Sequence, residues 1–355
     1  MLMRKSELPT PALVVDLDVM EANISAMQAA VTRARKHLRP HAKAHKRVAL
    51  ARRQIEAGAV GVCCATLAEM ETIVDAGISV LLTTPVAQQV KTDRIAALAA
   101  RGDVTVVVDH PAQAILYNDS AARLGLHLNV LVDLDIGDHR TGVPCDERAI
   151  YLALAVDKSP HLRFGGLQAY SVSGSHTAGH ADRTTHSRAA IAQAVDIQKQ
   201  LLDRGLDATR LTGGSTGTWD IDIAIPELTE MQAGSYPLMD VAYGRIGGVP
   251  FDIAMTVLTT VISASHKDRV TVDAGFKAFS TDRPFGPEPV GVPGSPSWQW
   301  AGDEHGMLVQ RDAAVPLPQL GEAVAFVAPH CDPTVNLHAH MYACRGDIVV
   351  EVWTR

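Results

Sequence analysis

Short β-type segments alternate with helical segments between residues 16 and 245, and this alternation constrains the fold more than any other feature. Several β-type segments, including Val104–Val108, are mainly apolar, which is typical of strands buried on both faces of a parallel sheet. The eight candidate strands are 38–43, 60–65, 79–83, 104–108, 128–133, 164–170, 209–213 and 229–233. Eight such strands with intervening helices predict an α/β fold, a (β/α)8 TIM-type barrel; a doubly wound sheet would need a break in the alternation.

The pattern changes near residue 246, where short β-type segments follow one another without a visible helical period. Segment 281–302 is rich in Pro and Gly, which predicts a surface loop that acts as a lid or an interface arm. We therefore predict a second, smaller antiparallel β domain after the barrel. The predicted division is a barrel of residues 16–245 and a β domain of residues 1–15 plus 246–355.

Composition excludes several classes of protein. The net charge of −7 argues against a nucleic-acid-binding surface. The five cysteines form no Cys-x-x-Cys pair and their odd number gives no disulfide framework, so we expect a reducing, cytoplasmic location. Segment Met1–Thr10 is polar and does not resemble a signal peptide, and no apolar run approaches the ~20 residues of a membrane span.

Lys43 is the first candidate for chemistry. It lies in a segment where Arg39, His41, Lys43 and His45 alternate with apolar or small residues. On a strand, these four side chains would share one face, which is costly to bury unless it lines a wet or ligand-filled site. A lysine among cations has a lowered pKa and is a better amine nucleophile, which suits Schiff-base chemistry with an aldehyde cofactor. A solvated basic turn before a helix is the alternative interpretation.

A glycine- and hydroxyl-rich loop, Thr212–Thr218, follows the seventh predicted strand. Backbone N–H groups in such a loop can bind a phosphate, and phosphate sites recur at this position of the barrel fold. A plain Gly-Gly turn is the alternative. Together with a Schiff-base lysine, the loop indicates a phosphorylated aldehyde, pyridoxal 5′-phosphate.

A second cluster, His330 and Asp332, lies in the predicted β domain. In an extended segment the two side chains point the same way and can chelate a divalent metal, with the other positions left for water or substrate. The alternative is a loop histidine beside an aspartate that caps the Pro333-Thr334 turn. Cys331 has the opposite parity and is expected to be packed.

Three further segments offer polar side chains at predicted strand ends. His176 is a candidate acid or base, although His180 and His186 lie close in the sequence. Arg140 is a candidate for contact with a cofactor ring nitrogen, or for an ordinary surface ion pair. Gln168 and Tyr170 share a strand face with Phe164, so packing is their alternative role.

Eight short motifs, within a resemblance that runs from about residue 8 to the C-terminus, are Pro40–Lys46, Arg140–Gly142, Gln168–Tyr170, Thr212–Thr218, Gly234–Tyr236, Asp273–Gly275, Glu304–Gly306 and Pro329–Thr334. In combination they resemble the D-threonine aldolase and D-serine dehydratase family. That family belongs to the alanine-racemase-like pyridoxal-phosphate enzymes of fold type III. The resemblance implies a barrel with a β domain, usually a homodimer with sites near its interface.

The resemblance also implies roles for individual residues. Lys43 would be the Schiff-base lysine, and Arg140 would face the pyridine nitrogen. His330 and Asp332 would bind the divalent metal, Mn²⁺, Mg²⁺ or Zn²⁺. His176 would be the catalytic histidine, although the segment after Gln-Ala-Tyr departs from the Gly-His type common in the family. The remaining cofactor contacts would come from Gln168, Tyr170, Thr212, Gly213, Gly214, Ser215 and Tyr236.

Asp332 decides between the branches of the family. The dehydratase branch usually has cysteine at the second metal ligand, so the aspartate favours the aldolase branch. The implied reaction is cleavage of a D-β-hydroxy-α-amino acid to glycine and an aldehyde. A D-3-hydroxyaspartate aldolase and a D-serine or D-3-hydroxyaspartate dehydratase stay open. An amino-acid racemase, which needs no metal, and a non-catalytic pyridoxal-phosphate-binding protein, which lacks a C-terminal domain, fit less well.

Overall fold

The computed structural model describes residues 3–354, so positions 1, 2 and 355 of the predicted β domain lie outside the described residues. A 3-10 turn, Lys5–Glu7, precedes strand β1 (Ala12–Asp16) and helix α1 (Leu17–Arg33). Asp16 is the N-cap residue of helix α1, and its carboxylate accepts hydrogen bonds from two backbone N–H groups of the first turn. Its apolar face buries Met20, Ile24, Met27 and Val31 at helical spacing.

A parallel sheet curls into the predicted barrel. Its strands, with the short edge strand β7, are β2 (His37–Leu38), β3 (Val62–Cys64), β4 (Val80–Leu82), β5 (Val104–Val108), β6 (Leu128–Asp135), β7 (Val143–Pro144), β8 (Leu162–Ala169), β9 (Leu211–Gly213) and β10 (Glu230–Met231). The order is β2-β10-β9-β8-β6-β5-β4-β3, and backbone hydrogen bonds from Val60 to Leu38 and from Cys63 to Pro40 join the last strand to the first. The fold class predicted from the alternation is confirmed.

Helices connect the strands on the outside of the ring. They are α2 (Val48–Glu56), α3 (Leu67–Asp75), α4 (Gln89–Ala99), α5 (Pro111–Arg123), α6 (Glu147–Asp157), α7 (Val172–Ser175), α8 (His180–Asp203), α9 (Trp219–Asp222) and α10 (Val241–Ile246). Cys63, Leu81, Val107 and Leu131, one from each of four neighbouring strands, form a cluster separate from the main core. These side chains fill the inside of the ring, as expected for a packed barrel.

Strand β2 is shorter than the predicted strand 38–43. Regular pairing ends at Leu38, His41 makes a single bridge to Cys63, and Ala42–Ala44 form a 3-10 turn. The turn forms because the His41 imidazole accepts a hydrogen bond from the Lys43 backbone N–H. Lys43 therefore lies on a turn just after β2 rather than inside the strand.

The second sheet is mainly antiparallel. Its strands after β1 are β11 (Met255–Ser263), β12 (Arg269–Val272), β13 (Glu288–Pro289), β14 (Ser297–Trp300), β15 (Gly306–Val309), β16 (Ala323–Val327), β17 (His340–Arg345) and β18 (Ile348–Thr354). The order is β14-β15-β12-β11-β1-β17-β18, and β16 pairs with both β11 and β13. Strand β1 thus ties the start of the chain to this sheet. Within residues 3–354, every helix is too short or too polar to cross a membrane.

One helix interrupts this β-rich region. Helix α11 (Cys331–Leu337) occupies the segment that was predicted to be extended, and His330 is its N-cap residue. Pro333 is tolerated because it lies in the first turn, where its missing N–H would have no helical partner. The prediction of an extended segment at His330 and Asp332 is therefore wrong, and the start of a helix brings the two side chains together instead.

Candidate active site

A cavity of about 370 Å³ opens at the carboxyl ends of the barrel strands, a volume suited to a small-molecule ligand. Residues that follow β2, β4, β6, β8, β9 and β10 line it, together with residues near α11 of the second sheet. The predicted site residues in its wall are Lys43, Arg140, Gln168, Tyr170, His176, Ser215, His330 and Asp332. Thr212, Gly213, Gly214 and Tyr236 were also predicted for the site, but they lie behind the wall.

Lys43 reaches into the cavity towards the second sheet. Its Nζ atom is 3.6 Å from Oδ1 of Asp332, and 39% of its side chain is exposed. Burial lowers the pKa of Lys43, but the carboxylate of Asp332 and the phenol of Tyr170 outweigh burial, so the pKa is raised. The predicted lowering of this pKa by neighbouring cations is therefore wrong for this charge arrangement, because a carboxylate is the nearest charged group.

The four basic residues of the Lys43 segment do not share one face. Arg39 is buried and pairs with Glu230 at 3.1 Å, and His45 is fully buried with its Nδ1 accepting the Arg47 backbone N–H. Only His41 and Lys43 of the four line the cavity. His41 Nε2 lies 3.0 Å from Oγ1 of Thr83, which fixes the imidazole ring between β2 and β4.

The predicted phosphate loop lines the cavity through its second half. Ser215 and Thr216 are in the wall, and Oγ1 of Thr216 accepts the backbone N–H groups of Ser235 and Tyr236, each at 3.1 Å. This hydroxyl joins the loops after β9 and β10. Beneath it, the carboxylate of Asp222 accepts the Ser215 N–H at 3.3 Å and also binds the Thr218 hydroxyl.

The glycines of this loop permit close packing of the backbone. A side chain on Gly213 would place its Cβ atom 1.9 Å from the carbonyl oxygen of Ala169, and Gly214 has a φ of +78°. Thr212 is buried, and its hydroxyl accepts a hydrogen bond from Gln232 at 3.0 Å. These three residues shape the loop, and we find no side-chain contact from them to the cavity among the described residues.

Tyr236 differs from its predicted role. Its ring is fully buried, its hydroxyl accepts a hydrogen bond from Nε2 of Gln54 at 3.0 Å, and the ring packs against Phe251. The phenol therefore belongs to the core, where burial raises its pKa. Tyr236 contacts the phosphate loop through its backbone N–H, which donates to the hydroxyl of Thr216. A direct contact between its phenol and a phosphate does not fit this geometry.

Arg140, Tyr170 and Gln168 line the cavity together with Lys43. The Arg140 guanidinium carbon lies 5.3 Å from the centre of the Tyr170 ring, close enough for a cation–π contact. Gln168 donates to Oδ1 of Asp133 at 2.8 Å and to the Thr83 carbonyl at 3.0 Å. Burial raises the pKa of Asp133 to about 7, against the opposing effect of its hydrogen bonds. Gln168 is therefore a fixed part of the cavity floor.

His330 and Asp332 face each other at the wall that the second sheet supplies. His330 Nε2 is 3.7 Å from Oδ2 of Asp332, and its Nδ1 is 2.7 Å from Oδ2 of Asp282. In metal-binding histidines, the ring nitrogen that does not bind the metal commonly donates to a carboxylate, which orients the ring. Burial raises the pKa of Asp332, but Lys43 and His330 outweigh it and the net shift is downward. The charged carboxylate and the supported imidazole fit a divalent metal.

Residues 3–354 contain no group of three or more His, Cys, Asp or Glu side chains arranged to hold a metal ion. Two protein ligands are therefore the most that this wall offers. A metal bound there would complete its coordination with water or substrate oxygens, as in catalytic rather than structural sites. Cys331 is buried, as expected from its parity, although it lies in a helix.

His176 follows the short helix α7 and lies in the cavity wall. Its Nδ1 is 2.9 Å from Oγ of Ser175, and its Nε2 is 3.2 Å from a terminal nitrogen of Arg283. Burial first, and then the charges of Arg283 and His330, lower its pKa to about 4. His180 and His186 instead contact Asp220 and Ser173 outside the cavity, at 2.7 and 3.1 Å.

Sequence reasoning missed Asp282, Arg283 and Tyr243. Tyr243 packs against the His176 ring with 4.7 Å between centroids, and nothing in its sequence neighbourhood indicated this. Asp282 and Arg283 begin the Pro/Gly-rich segment that we predicted to be a lid or an interface arm. The only signal for them in the sequence was a pair of adjacent, oppositely charged residues near the start of this loop.

Comparison with known proteins extends over nearly the whole chain. Residues 15–237 match the alanine racemase N-terminal domain, and residues 254–344 match a putative serine dehydratase domain. The chain is 37% identical to D-threonine aldolase from Arthrobacter sp., over 97% of this chain and 91% of the relative. It is 34% identical to 3-hydroxy-D-aspartate aldolase from Paracoccus denitrificans, over 99% and 92%.

A solved structure agrees with these sequence matches. D-threonine aldolase from Filomicrobium marinum superposes with a TM-score of 0.96 at 36% identity, covering 100% of this chain and 97% of that one. The resemblance inferred from the eight motifs is therefore confirmed, and it implies a pyridoxal-phosphate cofactor. The chain belongs to the alanine-racemase-like family that includes the D-threonine and 3-hydroxy-D-aspartate aldolases.

Proposed function

We propose that the protein is a pyridoxal-phosphate- and divalent-metal-dependent aldolase that cleaves D-β-hydroxy-α-amino acids to glycine and an aldehyde. One observation carries the proposal: an amine and a histidine–aspartate pair that could bind a metal share one cavity. Lys43 Nζ is 3.6 Å from one oxygen of Asp332, and His330 Nε2 is 3.7 Å from the other. A substrate whose amine reaches Lys43 would therefore present its neighbouring hydroxyl to the metal site.

The residues of the barrel fit the cofactor. The exposed amine of Lys43 would bind the aldehyde carbon, and Ser215 and Thr216 would hold the phosphate at the loop between β9 and α9. Arg140, held over Tyr170, would lie at the nitrogen edge of the ring. When bound, the cofactor supplies a ring that accepts the electron pair of the broken Cα–Cβ bond.

The residues of the second sheet fit the metal. His330 would bind through Nε2 because Nδ1 is engaged by Asp282, and Asp332 would bind through a carboxylate oxygen. When bound, a divalent metal lowers the pKa of a hydroxyl group that it contacts. Mn²⁺, Mg²⁺ and Zn²⁺ all accept one imidazole and one carboxylate with water, so the choice of metal belongs to experiment.

His176 Nε2 would accept the proton of the substrate hydroxyl. Because the pKa of this ring is about 4, the imidazole is neutral at pH 7 and has a lone pair available. Ser175, 2.9 Å from Nδ1, holds the ring in place. Nε2 is already 3.2 Å from Arg283, so the proton can be accepted there only when the guanidinium turns to another partner.

Product analysis tests the proposal. Purified protein would be incubated with pyridoxal phosphate, Mn²⁺ and D-threonine or D-3-hydroxyaspartate, with and without EDTA, and with L-threonine as the matched control. Glycine with acetaldehyde or glyoxylate from a D-substrate, lost with EDTA, is expected. Ammonia with a 2-keto acid would identify a dehydratase instead, and activity that survives EDTA would remove the metal from the proposal.

The proposal includes two features that follow from the family and from the cysteines. The family usually forms a homodimer, which light scattering of the purified protein would test. The five cysteines are free thiols, consistent with the reducing cytoplasm predicted from their number and spacing. Cell fractionation would test that location.

A further inference from the structure

Arg283 is a guanidinium in the cavity wall to which the proposed reaction assigns no partner. We propose that Arg283 selects substrates that carry a second carboxylate, on the carbon that bears the hydroxyl, over substrates that carry a methyl group there. This inference rests on the proposed aldolase function and names its substrate class, the β-hydroxy dicarboxylic α-amino acids.

A continuous row of contacts places Arg283 at the far end of the substrate. Lys43 contacts Asp332 at 3.6 Å, Asp332 contacts His330 at 3.7 Å, and His330 contacts Asp282 at 2.7 Å. Asp282 in turn lies 3.6 Å from Nε of Arg283. The substrate amine and α-carboxylate share one carbon, so both stay near Lys43. The group on the next carbon extends past the metal ligands towards Arg283.

The charge of Arg283 is not fully compensated by its neighbours. Asp282 already bonds His330, and its 3.6 Å separation from Arg283 exceeds a hydrogen-bond distance. The buried Nε atom of Arg283 has no hydrogen-bond partner among residues 3–354. The terminal nitrogen is 3.2 Å from Nε2 of His176, which can accept its hydrogen bond only through the lone pair of a neutral ring. A substrate carboxylate would be a stronger acceptor for this guanidinium than the neutral ring.

The loop that carries Arg283 is held against the barrel. The Arg245 guanidinium carbon lies 4.1 Å from the centre of the Phe285 ring and pairs with Glu288 at 2.7 Å. Arg283 itself is only 23% exposed. A guanidinium that is already ordered and mostly shielded from water loses little freedom on binding a carboxylate, which increases selectivity.

Binding of the carboxylate would also affect His176. A guanidinium that turns to the substrate releases the hydrogen bond to His176 Nε2, the atom that the proposed function uses to accept the hydroxyl proton. A substrate with a methyl group would leave that hydrogen bond in place. The second carboxylate would therefore increase kcat as well as lower KM.

Calorimetry of the holoenzyme tests this selection without turnover. D-aspartate carries a carboxylate where D-2-aminobutyrate carries a methyl group, and the two are otherwise the same. Neither has the hydroxyl that retro-aldol cleavage requires. We expect the wild type to bind D-aspartate ~10–100-fold more tightly than D-2-aminobutyrate. We expect Arg283→Gln to abolish that difference. D-2-aminobutyrate should bind the wild type and the variant within about twofold, since no charge pair is lost.

Two further variants complete the design. Arg283→Lys should keep part of the preference because it retains the charge, and Arg269→Gln, at an exposed ion pair with Asp268 outside the cavity, should keep all of it. Equal weakening of both ligands in Arg283→Gln would assign Arg283 to the α-carboxylate and overturn the proposal. Equal affinities in the wild type would overturn it without any variant.

Different experiments test the proposed function and the role of Arg283. The proposed function is wrong if neither D-threonine nor D-3-hydroxyaspartate yields glycine and an aldehyde. The role of Arg283 is tested by the binding of ligands that cannot be cleaved. If cleavage occurs, kcat/KM for D-3-hydroxyaspartate relative to D-threonine should fall ~10–100-fold in Arg283→Gln. An unchanged ratio would contradict the inference even if the aldolase activity is established.

Discussion

The two walls of the cavity are built in different ways. The cofactor wall, which we define as Lys43, Arg140, Tyr170 and Ser215, comes from segments that directly follow barrel strands. The metal wall, defined as Asp282, Arg283, His330 and Asp332, comes from a loop and from the start of a short helix. Backbone hydrogen bonds of the ring position the cofactor wall, whereas ion pairs and hydrogen bonds made by side chains position the metal wall. Single substitutions should therefore separate the two functions.

The largest effect is expected at the cofactor wall. Lys43→Ala should abolish the covalent, borohydride-reducible cofactor linkage and lower turnover by at least ~10³-fold, because no other amine replaces the nucleophile. Absorbance spectra before and after reduction, with mass spectrometry of the modified peptide, would measure this. The fold should persist, since the Lys43 side chain is partly exposed.

Lys46→Ala is the matched control for that variant. Lys46 lies three residues later but contacts Glu69 at 3.2 Å and Asn336 at 3.0 Å rather than the cavity. It should keep the cofactor linkage and nearly all activity. A linkage that survives in Lys43→Ala and disappears in Lys46→Ala would exchange the roles of the two lysines.

The second largest effect is expected at the metal wall. Asp332→Ala should keep the cofactor absorbance but lower metal-dependent turnover by ~10²–10³-fold, since one of two protein ligands and the charge beside the metal are lost. Parallel measurements of absorbance and product formation would show the separation. Asp268→Ala, at an exposed ion pair with Arg269, is the control. Loss of the cofactor absorbance in Asp332→Ala would mean that the walls are not independent.

The cofactor wall could largely be predicted from the sequence because its signals are local. The apolar run Val104–Val108 matches β5 residue for residue, since a fully buried strand needs no partner to be recognised. Once the strands are placed, the barrel fold brings their carboxyl ends together. The predicted strand 38–43 extends too far because the same alternation, at His41 and Lys43, also fits a turn capped by a histidine.

The metal wall was predicted only in its ligands. His330 and Asp332 were proposed as ligands from their residue types, and the interpretation as a strand was wrong because a seven-residue helix with Pro333 in its first turn has no visible period. Asp282 lies 48 positions from His330 in the sequence, and their contact depends on how the segments of the second sheet fold together. The upward shift in the pKa of Lys43 depends on the packing of the second sheet against the barrel, since Asp332 is even more distant from Lys43 in the sequence.

A moderate effect is expected from the support of His330. Asp282→Asn should weaken Mn²⁺ binding ~10–100-fold, because the carboxylate that orients the imidazole through Nδ1 is neutralised. Calorimetric titration of the cofactor-loaded protein with Mn²⁺ would measure the affinity without turnover. Asp303→Asn, at an exposed carboxylate near Lys277 in the same sheet, should bind Mn²⁺ like the wild type. Unchanged affinity in Asp282→Asn would mean that the metal wall does not need its ion pairs.

The smallest effect is expected beneath the phosphate loop, where the buried carboxyl of Asp222 lies behind Ser215 of the cofactor wall. Burial raises the pKa of Asp222 from 3.8 to about 6, against the opposing hydrogen bonds from Ser187, Thr218 and Ser215. The folded protein therefore binds this proton more tightly than the unfolded chain does. The resulting stabilisation is complete below about pH 4 and is lost as the pH rises through about 6.

Asp222→Asn keeps a neutral side chain at every pH, so the variant should be more stable than the wild-type apoprotein at pH 8. We expect a gain of about 1–2 kcal/mol after subtracting the hydrogen bonds that an amide cannot accept. Urea unfolding of both apoproteins at pH 4, 6 and 8 would measure it. The gain should shrink towards pH 4, where Asp222 of the folded wild type is protonated and the same carboxyl of the unfolded chain is partly protonated. A gain that does not change with pH, or a loss at pH 8, would mean that Asp222 stabilises the loop as a carboxylate.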